Sequence, residues 1–469
     1  MSSFRYSRFT LLLIILLLVS CKQRNIAEFI SVKDPIVALT HVRVIDGTGS
    51  PAREDQTIII ESGRISAIGP TSDVSVPASA TALDLSGHTA IPGLVGMHNH
   101  LFYATRRGER YVNAPESFAP LYLAAGVTTI RTAGALKLSN DLEVKRSIED
   151  GEMPGPKIHI TSPYIDHVPG RQLTPEALAK VINEWADEGA TSFKIYETIT
   201  LPELRTVIDA AHKRGLKVTG HVCAVGFREA ARAGIDNLEH GLAVDTEFFP
   251  EKKPDECPRR SDWLPQLAHI DVKSAPVQDM IRELVQHRVA VTSTLAIFEA
   301  FVDETFELDS RMEEVLSEDA YDDCVARLAK GKADPRWSKV WEVVLKKEMQ
   351  FEREFVQAGG LLMTGVDPTG WGGVIAGFGD QRGLELLVKA GFSPEEAIRI
   401  GTLNGATFLG EADRIGTLAA GKQADIAIIR GNLAVDIAAI RNVVLVFKDG
   451  TGYDPVTLIE SIRGLVGDS

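Results

Sequence analysis

The middle of the chain alternates between short apolar runs and amphipathic stretches. The first run ends at His98–His100, and seven more follow it. They are Val127–Ile130, Lys157–Thr161, Ser192–Tyr196, Lys217–Thr219, Asn237–Leu238, Val289–Thr294 and Leu361–Thr364. Helix signals lie between them, such as Thr174-Pro175 before a stretch that ends at Gly189. Strand–helix alternation predicts an α/β fold with a parallel sheet, and eight units predict a (β/α)8 TIM barrel over residues 91–410.

Short strands with hairpin turns bracket this barrel at both ends. Ile36–Val44 and Thr57–Ile60 precede it, and Ala424–Ile429 and Val443–Phe447 follow it. Because the two ends of a domain often lie close together, residues 35–90 and 411–455 are predicted to form one small composite β-sandwich domain. Residues 456–469 are then a C-terminal tail.

The first twenty residues have the layout of a secretory signal peptide. Arg5 and Arg8 precede nine apolar residues, which are too few to cross a bilayer of about 30 Å. Leu18-Val19-Ser20-Cys21 resembles a bacterial lipobox, and an ordinary signal cut nearby is the alternative. The lipobox implies an exported lipoprotein, anchored to the cell envelope by lipidation of Cys21, with residues 21–34 as a tether. Lys22 favours the outer membrane, facing the periplasm or the surface, if the source is Gram-negative.

The composition is that of a globular protein with an acidic surface. Hydrophobic residues make up 44% and charged residues 24%, which excludes a fully disordered chain. The net charge of −14 argues against nucleic-acid binding, because such a surface repels phosphates. Four cysteines are too few for a disulfide scaffold, and both a Cys257–Cys324 bridge and free buried thiols stay open.

Four histidines fall at the carboxyl ends of predicted strands, where barrel enzymes hold their active sites. His98 and His100 are two residues apart, so on a strand both imidazoles point to one face and can bind one metal ion. His221 and His240 each end a strand, about one βα step apart. One such histidine is more often structural, but two at the same rim favour metal ligation.

Two further residues extend this candidate metal site. Asp367 ends the eighth strand, where it can cap the next helix or act as a metal ligand and general base. Lys194 lies in a short apolar strand and is predicted to face the barrel interior. A buried ammonium tends towards neutrality, and a neutral amine can react with carbon dioxide to form a carbamate, which two cations would stabilise. An internal ion pair with a carboxylate is the alternative.

These residues, together with Pro92–His100 and Thr417–Asp425, resemble the amidohydrolase superfamily over residues 36–450. The resemblance implies a distorted (β/α)8 barrel with a composite β domain. It also implies a hydrolase that cleaves an amide-type C–N bond with a hydroxide held between two metal ions. The branch it resembles holds prolidase-like dipeptidases and related amidases, whose small-molecule substrates include dipeptides and N-acyl amino acids.

The resemblance also implies a role for each residue. His98, His100 and Asp367 would hold one divalent metal ion, and His221 and His240 a second, with carboxylated Lys194 bridging both. The metals are usually zinc, and carbon dioxide is incorporated as the lysine carbamate. Asp367 would be the catalytic residue that carries the proton to the leaving nitrogen. Tyr196, Arg131 and Trp371 are the expected substrate contacts.

Departures from the family pattern leave the substrate open. Gly96 replaces a common Asp, and Arg131-Thr132-Ala133-Gly134 and Tyr164-Ile165-Asp166-His167 replace two loop signatures. A mononuclear deaminase or cyclic amidase, and a non-catalytic envelope binding lipoprotein, are the alternatives. Metal content separates the two-metal hydrolase, with about two ions per chain, from the mononuclear deaminase, with about one. A homo-oligomer is compatible with the sequence.

Overall fold

The computed structural model describes residues 25–106, 109–168, 173–369 and 371–468. The predicted signal peptide 1–20 and the lipidation site Cys21 lie outside these residues. Among the described helices, none combines the length and the apolar character needed to cross a membrane.

The described part of the chain contains the following strands and helices. The strands are β1 (Ile30–Val32), β2 (Ile36–Val44), β3 (Arg53–Glu61), β4 (Arg64–Pro70), β5 (Thr81–Asp84), β6 (His88–Pro92), β7 (Leu94–Asn99), β8 (Phe102–Thr105), β9 (Arg110–Asn113), β10 (Val127–Thr132), β11 (Lys157–His159), β12 (Thr161–Ile165), β13 (Ser192–Ile195), β14 (Lys217–Gly220), β15 (Asn237–Glu239), β16 (Ala290–Ser293), β17 (Leu362–Thr364), β18 (Ile426–Arg430), β19 (Val443–Lys448) and β20 (Thr451–Tyr453). The helices are α1 (Pro115–Ala124), α2 (Leu138–Glu149), α3 (Pro175–Glu188), α4 (Leu201–His212), α5 (Phe227–Ala233), α6 (Arg260–Leu267), α7 (Ala275–Gln286), α8 (Leu295–Glu299), α9 (Met312–Val315), α10 (Glu318–Ala333), α11 (Arg336–Gln357), α12 (Phe378–Ala390), α13 (Pro394–Ile400), α14 (Leu403–Leu409) and α15 (Pro455–Ser461).

Parallel strands form a barrel at the centre of the fold. β7, β10 and β11 pair in one parallel sheet, and β12 to β17 pair in sequence order in another. A parallel bridge between Ala135 and Pro163 joins the two sheets. The barrel closes where the amides of Val366 and Asp367 donate to the carbonyl of His98 at 3.1 and 2.9 Å. The predicted (β/α)8 barrel is confirmed, with its third strand divided into β11 and β12.

Local capping signals fix several helix ends as the sequence predicts. The Thr174 hydroxyl accepts from the amide of Ala177 at the start of α3. The same helix ends at Gly189, whose φ of 122° is open to glycine and strained for other residues. The next helix, α4, ends at His212, and residues 213–215 after it form a turn.

Strands from both ends of the chain share one sheet. Its order is β1-β20-β19-β18-β6-β2-β3-β4, and β5 also pairs with β2. The apolar core of this sheet combines both ends, since Val37, Leu39 and Ile58 are buried with Ile426 and Phe447. The composite β domain is present as predicted. Its strands form one continuous hydrogen-bonded sheet because β18 pairs with β6 on one side and β19 on the other.

The described residues of the predicted tether and of the predicted tail are part of the fold. In the predicted tether 21–34, Phe29 is buried and Ile30 pairs with Tyr453. In the predicted tail 456–469, α15 buries Leu458 in the same small cluster as Phe29. The tether prediction is therefore wrong from Ile26 onward, because these apolar side chains give the segment a surface to pack on.

A disulfide joins Cys223 and Cys257, with a Cα–Cα distance of 5.0 Å. The Cys257–Cys324 bridge considered from the sequence is therefore wrong. Cys324 is a buried free thiol on α10, where its Sγ lies 3.1 Å from the carbonyl oxygen of Gly372. The two bonded cysteines lie instead in the segments after β14 and before α6, so the bridge ties two connections of the barrel together.

Candidate metal centre

The carboxyl ends of five barrel strands bring the predicted ligands to one cavity of about 470 Å³. Lys194 lies within β13, and the other side chains lie at the end of β7 or just beyond β14, β15 and β17. The predicted ligands that line this cavity are His98, His100, Lys194, His221, His240 and Asp367. Residues that are as many as 269 positions apart in sequence therefore share one wall of a single cavity.

Asp367 lies among the imidazoles. Its Oδ1 is 3.6 Å from Nε2 of His98 and 3.4 Å from Nε2 of His100. Its Oδ2 is 3.9 Å from Nδ1 of His240. His98, His240 and Asp367 each offer a ligand atom, and these atoms lie within 4.8 Å of one another. Imidazole and carboxylate donors at this spacing fit a divalent metal ion.

Hydrogen bonds at Nδ1, opposite the Nε2 atoms that face Asp367, orient the imidazoles of His98 and His100. Nδ1 of His98 is 2.7 Å from Oε2 of Glu239, and Nδ1 of His100 is 3.3 Å from the carbonyl oxygen of Gly134. These bonds leave both Nε2 atoms facing Asp367. In metal sites, such bonds fix the tautomer and the orientation of a histidine ligand.

His221 lies beside His240, with ring centroids 4.5 Å apart. Its Nε2 is 3.4 Å from Oε1 of Glu197, and its ring also meets Tyr196 edge-on at 5.3 Å. Burial, reinforced by the charges of Lys194 and Arg260, lowers the pKa of His221 to about 3. Burial also holds the pKa of His240 well below its ordinary value. Both rings are neutral at physiological pH, which is the form that binds a metal ion.

The Lys194 ammonium is buried without a hydrogen-bond partner. Its side chain is 1% exposed, and Nζ makes no hydrogen bond within the described structure. The ion pair considered as the alternative is present, since Nζ lies 3.8 Å from Oε1 of the buried Glu239, a distance too long for a hydrogen bond. Burial lowers the pKa of Lys194 to about 8, although Glu239 opposes the shift. The neutral amine, which is the form that reacts with carbon dioxide, is therefore accessible near neutral pH.

Glu239 belongs to the candidate site, and the sequence reasoning missed it. Besides His98, this fully buried carboxylate accepts from Arg131 Nη2 at 2.7 Å and from the Thr219 hydroxyl. Burial would raise the pKa of Glu239, but the charges of Arg131, Lys194 and His98 hold it well below its usual range. A signal was present, because an acid inside a buried strand needs charged or hydrogen-bonding partners.

Asp367 and His240 both have left-handed backbone conformations, with φ of 48° and 70°. Such conformations are uncommon for residues other than glycine, and strained backbone of this kind concentrates at functional sites. Burial alone would raise the pKa of Asp367, but the neighbouring His98, His100 and His240 hold it well below its usual value. The carboxylate is therefore ionised and able to accept a proton.

The three expected substrate contacts lie in different places. Tyr196 lines the cavity. Arg131 does not line it, because its guanidinium turns beneath the histidines, where Nε donates to the carbonyl of Met97 at 2.9 Å. Trp371 does not line it either, since its indole Nε1 donates to the carbonyl of Ala300 at 2.9 Å. The expectations for Arg131 and Trp371 are therefore not met.

Comparison with known proteins gives one family match over most of the chain. The model of the "Amidohydrolase family" matches residues 89–452. The adenine deaminase of Chelativorans sp. (strain BNC1) is 27% identical over 241 residues, which are 48% of this chain and 38% of the deaminase. The chain thus spans well under two thirds of the length of this curated relative.

Solved structures share the fold over almost the whole chain. A structure titled putative prolidase from Bifidobacterium longum has a TM-score of 0.63 at 24% identity and covers 89% of this chain and 94% of its own. A Xaa-Pro dipeptidase with bound methionine has a TM-score of 0.67 at 20% identity and covers 89% and 100%. At these identities the likeness shows the fold alone.

Proposed function

Since the chain belongs to the amidohydrolase family, we propose that it is a metal-dependent hydrolase of an amide-type C–N bond in a small molecule. Dipeptides and N-acyl amino acids are the leading substrate classes. The observation that carries the proposal is Lys194, which lines the same cavity as four histidines and an aspartate and whose buried Nζ has no hydrogen-bond partner among the described residues.

We propose that this donor set holds two divalent metal ions. His98, His100 and Asp367 would hold one, and His221 and His240 the other. Lys194, once carboxylated, would supply an anionic oxygen ligand to both, and its buried Nζ, which makes no hydrogen bond among the described residues, supports this role. When bound, such ions polarise a substrate carbonyl and make water a stronger nucleophile at neutral pH. Zinc is the metal that this mixture of imidazole and carboxylate donors suits best.

The chain's own residues move the proton and hold the substrate. Asp367 is ionised, so an Oδ atom can accept a proton as the carbonyl is attacked and then pass it to the leaving nitrogen. Burial raises the pKa of the Tyr196 phenol, which therefore stays protonated and can donate a hydrogen bond to the substrate. His98, His100 and His240 are buried, which limits access of bulk water to the reacting atoms.

A substrate screen with metal add-back tests this function. Zinc-loaded and chelator-treated protein would be incubated with dipeptides, N-acyl amino acids, cyclic amides and adenine, and release of amine or ammonia would be measured. We expect the loaded protein to cleave at least one amide. Asp367→Asn should lower kcat on it by about 10²–10⁴-fold, because the proton carrier is lost. Asp34→Asn, at an exposed position, is the matched control.

Two outcomes of that screen contradict the proposal. If only adenine releases ammonia and the protein carries one metal ion per chain, the mononuclear deaminase alternative holds. If protein loaded with two metal ions cleaves nothing in the screen, the result favours the alternative of a non-catalytic binding protein.

A further inference from the structure

One wall of the cavity is an aromatic lobe, defined here as Trp263, Ile297, Phe298, Phe301 and Trp341. These residues come from α6, from α8 and the residues after it, and from α11. They lie in the long connections after β15 and β16 rather than on the barrel strands. The metal-ligand residues and this lobe therefore have separate structural origins.

The rings of the lobe begin at the ligand cluster and continue away from it. Phe298 lies 6.0 Å from the His240 ring, centroid to centroid. Trp341 stacks on Phe298 at 5.4 Å with an interplanar angle of 16°. Phe301 follows at 4.9 Å from Trp341. A group attached to an amide near His240 would lie against this series of rings.

The other aromatic wall has different chemistry. It contains Tyr111, Tyr164 and Tyr196, whose hydroxyls can donate and accept hydrogen bonds. The aromatic lobe offers mainly carbon surface, and no member of it carries a charge. Phe298, Trp263 and Trp341 are 4%, 6% and 8% exposed, so each ring is held by packing against the protein and presents only a small surface to the cavity. Contact with apolar surface of this kind makes binding more favourable only when the occupant is apolar as well.

We propose that the aromatic lobe binds an uncharged aromatic or similarly bulky apolar group on one side of the scissile amide bond. The preferred substrates are then small amides that carry such a group, rather than dipeptides of small or charged residues. This inference rests on the proposed hydrolase function and names the substrate class of the same site.

Binding of matched sulfonamides tests the lobe without turnover, because a sulfonamide is not cleaved as an amide. The probes are N-benzylsulfonylglycine and N-methylsulfonylglycine, titrated calorimetrically into zinc-loaded protein. Burying the phenyl ring should make the benzyl compound bind about 10-fold to 100-fold more tightly. Trp341→Ala should remove most of that preference. Trp337→Ala should keep it, because Trp337 lies on the same helix, is 42% exposed and does not line the cavity.

Phe298→Leu is a second variant, needed in case Trp341→Ala does not fold. It keeps an apolar side chain but removes a ring, so it should reduce the preference for the benzyl compound. Equal binding of the two sulfonamides to the wild type would overturn the inference. A preference that survives both Trp341→Ala and Phe298→Leu would overturn it as well.

A parallel turnover measurement separates this inference from the proposed function. The wild type would be assayed with N-phenylacetyl and N-acetyl derivatives of one amino acid. Cleavage of both at equal kcat/KM refutes the lobe and leaves the hydrolase intact. A clear benzyl preference in binding, with no amide cleaved, supports the lobe and refutes the hydrolase.

Discussion

Glu239 connects the histidine cluster to the barrel interior. It holds Nδ1 of His98 and at the same time balances the buried guanidinium of Arg131. Both partners are almost completely buried, at 3% and 1% side-chain exposure, so neither can turn to solvent if the carboxylate is removed. The orientation of one proposed ligand and the stability of the barrel therefore depend on the same side chain.

Glu239→Gln tests that double role. Leaving Arg131 buried without its counter-charge should lower the free energy of unfolding by about 3 kcal/mol or more. Urea denaturation followed by circular dichroism measures the loss. Glu149→Gln is the matched control, because that carboxylate pairs with Lys145 on the surface and its replacement should change stability little. Equal stability of the wild type and Glu239→Gln would contradict the proposed role of Glu239.

The sequence was sufficient to predict the individual ligand residues, but it was not sufficient to predict the residues around them. A histidine or an aspartate at a strand end is visible because strand ends of a barrel meet at one rim, as they do for His221 and Asp367. Arg131 also ends a strand, but its long side chain can turn inward, and the strand pattern does not specify its direction. Trp371 lies in a loop whose packing depends on Ala300, which no local pattern indicates.

At the scale of elements, α11 supports the turn that carries His240. Oε2 of Glu348 accepts from the amide of Ala243 at 2.7 Å. A Cβ at Gly241 would collide with the carboxylate of Glu348, and the φ of 66° would strain any other residue, so glycine is favoured between the turn and the helix. Glu352 lies one turn further along α11 and is also buried.

Burial makes Glu352 a source of pH-dependent stability. It raises the pKa of that carboxyl from 4.5 to about 8. Between pH 4.5 and about 8 the folded protein therefore keeps this proton, while the unfolded chain releases it. The stability of the fold at Glu352 is fully present below about pH 4.5 and is lost as the pH rises through about 8.

Glu352→Gln removes this ionisation while keeping the shape of the side chain. Relative to the wild type, the variant should gain stability from pH 5 to pH 8, by about 1 kcal/mol or more, since one pKa unit is about 1.4 kcal/mol. Thermal unfolding at pH 5, 6, 7 and 8 measures the difference. Parallel pH profiles of the two proteins would contradict the shift assigned to Glu352.

Over the whole molecule, periodicity predicted the strands better than it predicted their partners. Barrel strands are recognisable because both faces are buried and each strand pairs with its neighbour in sequence. The pairing of β18 with β6 joins segments more than 330 residues apart, and a strand pattern contains no information about so distant a partner. The same limit applies to Cys223 and Cys257, whose pairing depends on where two loops meet.

We further propose that the protein is exported and anchored to the envelope by a lipid on Cys21. The disulfide between Cys223 and Cys257 supports this, because such bridges persist in oxidising compartments. Cys21→Ser should move the protein from the membrane fraction to the soluble fraction of its native host. Cys324→Ser is the control and should leave fractionation unchanged. Retention of Cys21→Ser in the membrane fraction would contradict the anchor.

The claim that Lys194 joins two metal ions is tested most directly by metal content. Wild-type protein prepared with zinc and bicarbonate should bind about two ions per chain by inductively coupled plasma mass spectrometry. Lys180→Ala, at a surface position with 76% side-chain exposure, should bind the same amount. Lys194→Ala should bind about one ion or fewer, because the anionic ligand between the two sites is lost. Wild-type metal content in Lys194→Ala would contradict the bridging role.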